Sequence, residues 1–305
     1  MRTQRTDRNS SLTMEKTKIY VIINPISGIG SKKSIPERLS SQIDQQRFDL
    51  HFFITGYPGH ANDIARQAVL NKVKYVVAVG GDGTVNEVAR ALVGSESILG
   101  IIPFGSGNGL ARDLKISTRV DRAITTLKGN NICQIDYGIA NEHVFFCTFG
   151  MGFDAMVSES FSKETVRGPL TYFKNVIGRY IDFEPEEYEV CVKGNAIKEK
   201  AFLITCANAT QYGNNAFIAP RASLQDGLMN IAILKPFGVL EIPQTTIQLF
   251  SKNIDNNKNL TEIITDEALI KRKSPGWIHI DGDPFYEDAE VKVRIVPKGL
   301  NVIIP

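Results

Sequence analysis

Residues Lys18 to Asn24, KIYVIIN, form an unbroken β-branched and aromatic run that ends at a proline. A strand of that make-up has no polar face, so both faces must be covered, as in the middle of a parallel sheet. Runs of the same kind recur at Phe48–Thr55, Tyr75–Val79 and Ile98–Ile102, the last closed by Pro103. Helical periodicity fills the gaps, at Ser34–Gln46, Ala61–Asn71 and Val85–Leu92, with Ile64, Ala65, Ala68 and Val69 forming one apolar face of the second. Strands alternating with helices at this spacing predict βαβ units and a doubly wound, Rossmann-like α/β domain.

Past Ile132 the pattern changes. Short alternating segments at His143–Phe149, Tyr188–Val192, Ala201–Ala207, Met229–Leu234, Gly276–Ile280 and Val291–Val296 are separated by turns rich in Gly, Asn and Pro. These predict a second domain, an antiparallel β-sandwich. Helices are expected around Pro169–Tyr180 and Glu241–Ile254. The expected division is a disordered leader over 1–15, an α/β domain over 16–135 joined by the C-terminal 297–305, and a sandwich over 136–296.

Charge narrows the partners. Lys and Arg total 35 against 33 Asp and Glu, a net charge of +2. A chain that grips nucleic acid over a broad surface carries a larger positive excess, so no nucleic-acid partner is expected. No apolar run reaches the roughly 18–20 residues that span a bilayer, and the polar, basic start lacks the apolar core of a secretion signal. Cys133, Cys147, Cys191 and Cys206 are too scattered for a zinc cage or a disulfide framework. Reduced thiols and a cytoplasmic location are expected, peripheral contact with the inner membrane face remaining open. His51, His60, His143 and His279 show no metal-ligand spacing.

Three loops carry the chemistry. Gly80-Gly81-Asp82-Gly83-Thr84-Val85-Asn86-Glu87 lies where a buried strand meets a helix. Glycines there let backbone N–H groups approach an anion, and the helix N-terminus adds partial positive charge. Asp82 would repel a phosphate unless a magnesium ion lay between them. Taken alone, the stretch reads equally well as a tight turn capped by Asp82 or Thr84. Two further loops, Asn24-Pro25-Ile26-Ser27-Gly28 with Lys32 beyond it, and Pro103–Arg112 with Gly105, Ser106, Gly107, Asn108 and Gly109, follow other strands at the same sheet edge. Three such clusters make a polyphosphate cradle. None fits G-x-x-x-x-G-K-[ST], and the first strand turn is not G-x-G-x-x-G, which disfavours a P-loop and a dinucleotide oxidoreductase. Ile280-Asp281-Gly282-Asp283 is the other candidate, with an ordinary Asp-Gly hairpin turn as its plain reading.

The three loops together resemble the diacylglycerol kinase catalytic-domain family, most closely its bacterial lipid kinase branch, which is related to the sphingosine and ceramide kinases. The resemblance covers nearly everything from about Lys16. It implies an active site in a cleft between the domains, with a nucleotide site built from Asn24–Gly28, Thr55, Gly80–Asn86 and Ser106; Lys32, Glu87 and Asn108 stand beside these as candidates. It implies a catalytic Asp-Gly-acid motif at Asp281–Asp283, in which Asp283 replaces the family's glutamate as proton acceptor and Asp281 orients or shares the proton. Asp82 would order Mg²⁺ and its waters, with its role and that of Asp283 open to exchange. The family's third loop more often reads Gly-Thr-x-Asn-Asp-Phe; here Ser106 keeps the hydroxyl and Gly109 loses the aspartate. Pro220–Leu228 resembles a structural magnesium segment, implying Ser223, Asp226 and Leu228 as ligands. Its plain reading is a solvent-facing turn.

The activity so implied is transfer of the γ-phosphate of ATP, with Mg²⁺, to the hydroxyl of a diacylglycerol-like or sphingoid lipid at the membrane surface. An NAD kinase-like dinucleotide kinase and a non-catalytic nucleotide or lipid sensor are the rival readings, and a homodimer remains open. Phe145, Phe146, Phe149, Phe153 and Phe173 are expected in the core, and Arg167, Lys174 and Arg179 on a solvated face.

Overall fold

The computed structural model describes residues 16–28, 31–163, 180 and 183–305. The expected leader and most of the helix expected near Pro169–Tyr180, with Phe173, Arg167, Lys174 and Arg179, lie outside the described residues.

Four parallel strands open the chain: β1 (Thr17–Ile23), β2 (Phe48–Ile54), β3 (Tyr75–Gly80) and β4 (Ile98–Pro103). Their order across the sheet is β2-β1-β3-β4, each neighbouring pair parallel. Connections leave β1 in one direction and β3 in the other, so the carboxyl ends of β1 and β3 flank the point where chain direction across the sheet reverses. Ligands of open α/β sheets bind in that crevice. Helices α1 (Ile35–Gln42), α2 (His60–Leu70), α3 (Asp82–Leu92), α4 (Gly109–Asp113) and α5 (Val120–Leu127) make the crossovers. Val21, Ile22, Val76, Ala78 and Val79 are fully buried, as an apolar strand covered on both faces demands. Burial of each large aliphatic side chain contributes about 1.5–3 kcal/mol.

The second half contains β5 (Ile132–Ala140), β6 (His143–Phe145), β7 (Thr148–Gly152), α6 (Phe153–Lys163), β8 (Glu186–Val192), β9 (Asn195–Ala201), β10 (Leu203–Ala207), β11 (Met229–Leu234), α7 (Ile242–Phe250), β12 (Leu260–Thr265), β13 (Glu267–Lys271), β14 (Gly276–Ile280), β15 (Asp283–Glu287) and β16 (Glu290–Ile303). One sheet, β12-β11-β10-β7-β14-β15, is antiparallel throughout. It packs on the strands around β16 through Phe145, Phe149, Met151, Tyr188, Ile204, Ile231, Ile270, Ile278, Val291 and Val293, a core with almost no solvent contact. This is the α/β domain followed by an antiparallel β domain that the sequence led one to expect.

Several elements differ from the sequence reading. The expected strand Val291–Val296 is part of a 14-residue strand whose last residues pair in parallel with β4, Asn301 beside Ile98 and Val302 beside Leu99. Its first residues pair antiparallel with β13. The two domains therefore share one ten-stranded sheet. A bulge between Val296 and Leu300 marks where β16 changes partners, while β5 runs beside it for its whole length. Residue 136, the expected boundary, lies inside β5 rather than in a linker. Asp136 is fully buried and its carboxylate accepts the Gly227 and Lys298 N–H groups, both at 2.7 Å, pinning the bulge. The expected His143–Phe149 strand divides into β6 and β7, for a reason that lies in the site. All four cysteines are free thiols.

Candidate functional site

The three glycine loops meet at the carboxyl edge of the parallel strands, and their glycines are consumed in packing on one another. Gly28 has φ +62°, and a Cβ there would overlap the Phe104 carbonyl oxygen at 1.4 Å. A Cβ on Gly105 would lie 2.8 Å from the Gly81 Cα. Contact with backbone this close admits no side chain at Gly28 or Gly105.

Polar side chains complete the lacing. Asn24 Nδ2 donates to Thr84 Oγ1 at 3.0 Å, crossing from the end of β1 to the start of α3. Asn108, in the left-handed conformation at φ 51°, closes its loop by accepting from the Gly105 N–H at 2.8 Å and donating to the Gly105 carbonyl at 2.6 Å. Asp82 accepts the N–H groups of Asn108 at 2.8 Å and Gly109 at 2.7 Å. Two N–H bonds use one lone pair on each oxygen, so its outer face still suits a hydrated cation.

Other candidates fall in varied places. The Thr55 N–H extends the sheet by donating to Ile23. Ser106 and Gly83 are exposed, and Ile26 stands out at 88% exposure. Asn86 and Thr84 are buried on α3. Gly80 is held against Thr84, and Pro25 and Ser27 follow Asn24, whose carbonyl accepts from the Ser27 hydroxyl at 3.2 Å. Val85 packs in the core. Lys32, read as a possible phosphate contact, is only 5% exposed; its ammonium donates to the Ser27 carbonyl and sits 4.8 Å from the Phe104 ring centroid. It braces the first loop from inside, and burial lowers its pKa. Glu87, read as a nucleotide contact, gives both carboxylate oxygens to the N–H groups of Gly59 at 2.9 Å and Ala61 at 3.1 Å. It caps α2, whose own N-cap residue is a glycine without a side chain to offer.

Across from these loops, Asp281 and Gly282 form a two-residue hairpin between β14 and β15, both at positive φ, 51° and 90°. That is the plain Asp-Gly turn, and it carries more. Asp281 accepts three backbone N–H groups, from Phe146 at 2.8 Å, Cys147 at 2.7 Å and Thr148 at 2.9 Å. Residues 146–148 thus spend their donors on a carboxylate, which is why the chain leaves the sheet between β6 and β7. Burial pushes the Asp281 carboxyl upward against those three bonds.

Asp283, two residues on, makes no hydrogen bond to a side chain among the described residues. Its nearest charge is Arg90 on α3, 3.7 Å away. Burial raises its pKa above the ordinary value; Glu87 and Asp82 push the same way and Arg90 opposes them. The three loops are thus in mutual contact, and Arg90, on the helix that follows the second, brings Asp283 beside them.

Arg90, Asp154 and Asp113 were not singled out in the sequence, and His279 was noted only for lacking metal-ligand spacing. Arg90 lies three residues after Glu87, on the same helix face, but a lone arginine in a helix gives no signal. His279, 2% exposed, lies under the turn, its Nδ1 facing the Gly282 N–H at 3.4 Å and its Nε2 on Asp154 at 3.1 Å. Asp154 also accepts from Thr205 at 3.0 Å. Asp113 accepts from the Thr210 N–H at 2.7 Å and from Gln211 at 3.0 Å, tying α4 to the second domain. Gly109, where the family pattern has an aspartate, lets Tyr212 approach: a Cβ there would stand 3.3 Å from the Tyr212 carbonyl oxygen.

The implied structural magnesium site fits poorly. Asp226 is exposed and accepts the Leu228 N–H at 3.0 Å, and the Ser223 hydroxyl accepts from the Gln225 N–H at 3.2 Å. Both are self-contained turns. The buried acid beside this segment is Asp136, whose oxygens accept the Gly227 and Lys298 N–H groups. Among the described residues no group of three or more His, Cys, Asp or Glu could hold a metal.

Comparison with known proteins places these features. Residues 18–140 match the diacylglycerol kinase catalytic domain, and residues 147–304 match the YegS C-terminal NAD kinase beta sandwich-like domain. A diacylglycerol kinase of Bacillus subtilis (strain 168) is 27% identical over 271 residues, covering 86% of this chain and 88% of that protein. In structure, a diacylglycerol kinase from Bacillus anthracis str. Sterne superposes with a TM-score of 0.72 at 19% identity, over 95% of this chain and 97% of that one. An NAD kinase from Archaeoglobus fulgidus, solved in complex with ATP, reaches a TM-score of 0.51 at 12% identity, over 94% and 93% of the two chains. The structural likenesses speak for the fold alone. The two matched domains, end to end, leave only a short connection unassigned after Lys18, and the chain belongs to the lipid kinase family that joins a diacylglycerol kinase catalytic domain to a YegS-type sandwich.

Proposed function

We propose that the chain transfers the γ-phosphate of ATP, carried with Mg²⁺, to the hydroxyl of a diacylglycerol-like or sphingoid lipid. The observation that carries this reading is the placement of Asp283, a half-exposed carboxylate with a raised pKa, opposite three packed glycine loops at the switch point of a parallel sheet. Phosphoryl transfer needs a held phosphate, compensated charge and a base beside the attacking hydroxyl. The loops and the open first turn of α3 hold the phosphates. Asp283 takes the hydroxyl proton, and a carboxyl raised toward neutrality is better matched to that task than an ordinary one. Asp281, its oxygens occupied, fixes the turn that aims Asp283. Asp82 keeps the third loop against the second and presents an outer face to hydrated Mg²⁺, which, when bound, neutralises charge on the phosphates.

No described helix is long and apolar enough to cross a membrane, so in this reading the lipid is met at the bilayer surface. Purified protein given Mg-ATP and vesicles containing diacylglycerols, sphingoid bases and ceramides should yield a phosphorylated lipid by mass detection. A panel without any phosphorylated product would refute the proposal. The NAD kinase likeness of the sandwich favours one second reading, phosphorylation of a dinucleotide. NADP formation from NAD in a coupled assay, with every lipid inert, would establish that instead.

A further inference from the structure

Arg90 occupies the cleft in an incomplete state. Its Nε and Nη2 atoms are shielded from solvent and make no hydrogen bond. No acid around it bonds to these atoms. Glu87 accepts from Gly59 and Ala61, and Asp82 from Asn108 and Gly109. Asp283 stands 3.7 Å from Nη2, beyond hydrogen-bond reach. Guanidinium nitrogens withdrawn from water without acceptors are costly, and they persist where an incoming ligand supplies them. The fork geometry of Arg suits two oxygens of one phosphoryl group.

Position agrees with that chemistry. Helical side chains lean toward the N-terminus of their helix, so Arg90 reaches back along α3 toward the turn where the backbone donors of the second loop are exposed. Gly83, in that turn, has no atom within 4 Å of where a Cβ would stand, so the space is open. A phosphoryl group there would lie beside both Arg90 and Asp283, which stand 3.7 Å apart, with the acceptor hydroxyl next to Asp283.

Building on the nucleotide reading above, we propose that Arg90 binds the phosphoryl group in transit, contacting the γ-phosphate of the bound triphosphate and not the α- and β-phosphates. During transfer the bond from the β,γ-bridging oxygen to phosphorus breaks, the acceptor oxygen bonds to phosphorus, the hydroxyl proton passes to Asp283, and Arg90 stays with the phosphoryl oxygens throughout.

The test is calorimetric titration of the full chain in Mg²⁺ with ADP and with AMP-PNP, which keeps a third phosphate but does not transfer it. Wild type, Arg90→Gln and Arg90→Lys are compared, with circular dichroism as a check on folding. Arg90→Gln should lose about tenfold or more in AMP-PNP affinity with ADP affinity unchanged, and Arg90→Lys should keep part of the difference. Equal losses for both nucleotides, or no loss for either, would overturn the proposal and leave Arg90 as a structural tie to Asp283. Wild-type protein that binds neither nucleotide would bring down the nucleotide reading itself, an outcome the ADP titration separates from the first.

Discussion

Asp281 and Asp283 are two residues apart and do opposite work. The first is a closed unit, its two oxygens filled by three N–H groups; the second keeps its oxygens free of hydrogen bonds to side chains and faces Arg90. Asp283→Asn should therefore lower turnover by about 10²–10⁴-fold, the usual range for losing a general base, with nucleotide affinity kept. Undiminished kcat in that variant would remove the residue from the mechanism. Asp281→Asn should act on folding instead. An amide can accept fewer of the three bonds and turns a donor toward the backbone N–H groups, so urea denaturation should register a loss of about 2–4 kcal/mol. The pH profile has a definite sign. A base works deprotonated, so kcat/KM should rise with pH through the Asp283 pKa, and burial places that rise above the value of about 4 of an ordinary aspartate. Arg90 pulls the pKa down, so its replacement by glutamine should move the acid limb to still higher pH. A limb that stays put or moves the other way would break the assignment. At this scale the acids were legible, because Asp-Gly-Asp and Gly-Gly-Asp-Gly are compact patterns. The resemblance implied their division of labour, but how Asp281 is held was not legible, since it depends on N–H groups more than 130 residues away in sequence.

The elements tell a similar story one level up. Strands β1, β3 and β4 were readable because a strand buried on both faces leaves nothing but apolar residues to write. The break between β6 and β7 was hidden because apolarity continues across Phe145, Phe146 and Cys147 while their hydrogen bonds change partner. Helix α1 stops at Gln42, short of the expected Gln46, since Ile43 turns to an extended conformation and the Phe48 N–H caps the following turn on Asp44. The glycine loops read as a phosphate cradle, but the sequence alone did not reveal that their glycines are needed by the packing of the loops. Gly28→Ala makes this measurable. A side chain there would strike the Phe104 carbonyl from a left-handed backbone, so stability should fall by about 2–4 kcal/mol and the KM for ATP should rise as the first and third loops separate. A variant with wild-type stability and KM would show that the loops do not depend on this contact.

Over the whole molecule, β16 makes two domains into one sheet. The single tryptophan, Trp277, lies in β14 of the second domain, so its fluorescence reports only that half, while far-ultraviolet circular dichroism reports both. A shared strand, with the buried Asp136 and the half-buried Asp113 as ties, should make both signals lose structure at the same urea concentration. Separated transitions would mean that the halves are thermodynamically independent. The sequence suggested that the last residues rejoin the first domain, yet one continuous strand serving both domains could not be read from it, because pairing partners leave no trace in local composition.

For anyone wishing to express the halves apart, the path of that last strand has a practical cost. A fragment ending near residue 140 would leave one flank of β4 with bare N–H and C=O groups along an apolar ribbon, an invitation to pair with neighbouring copies. The complementary fragment would carry the tail of β16 with nothing to lie against. Insoluble products from both pieces, rescued when the two are co-expressed, are the behaviour such threading prescribes.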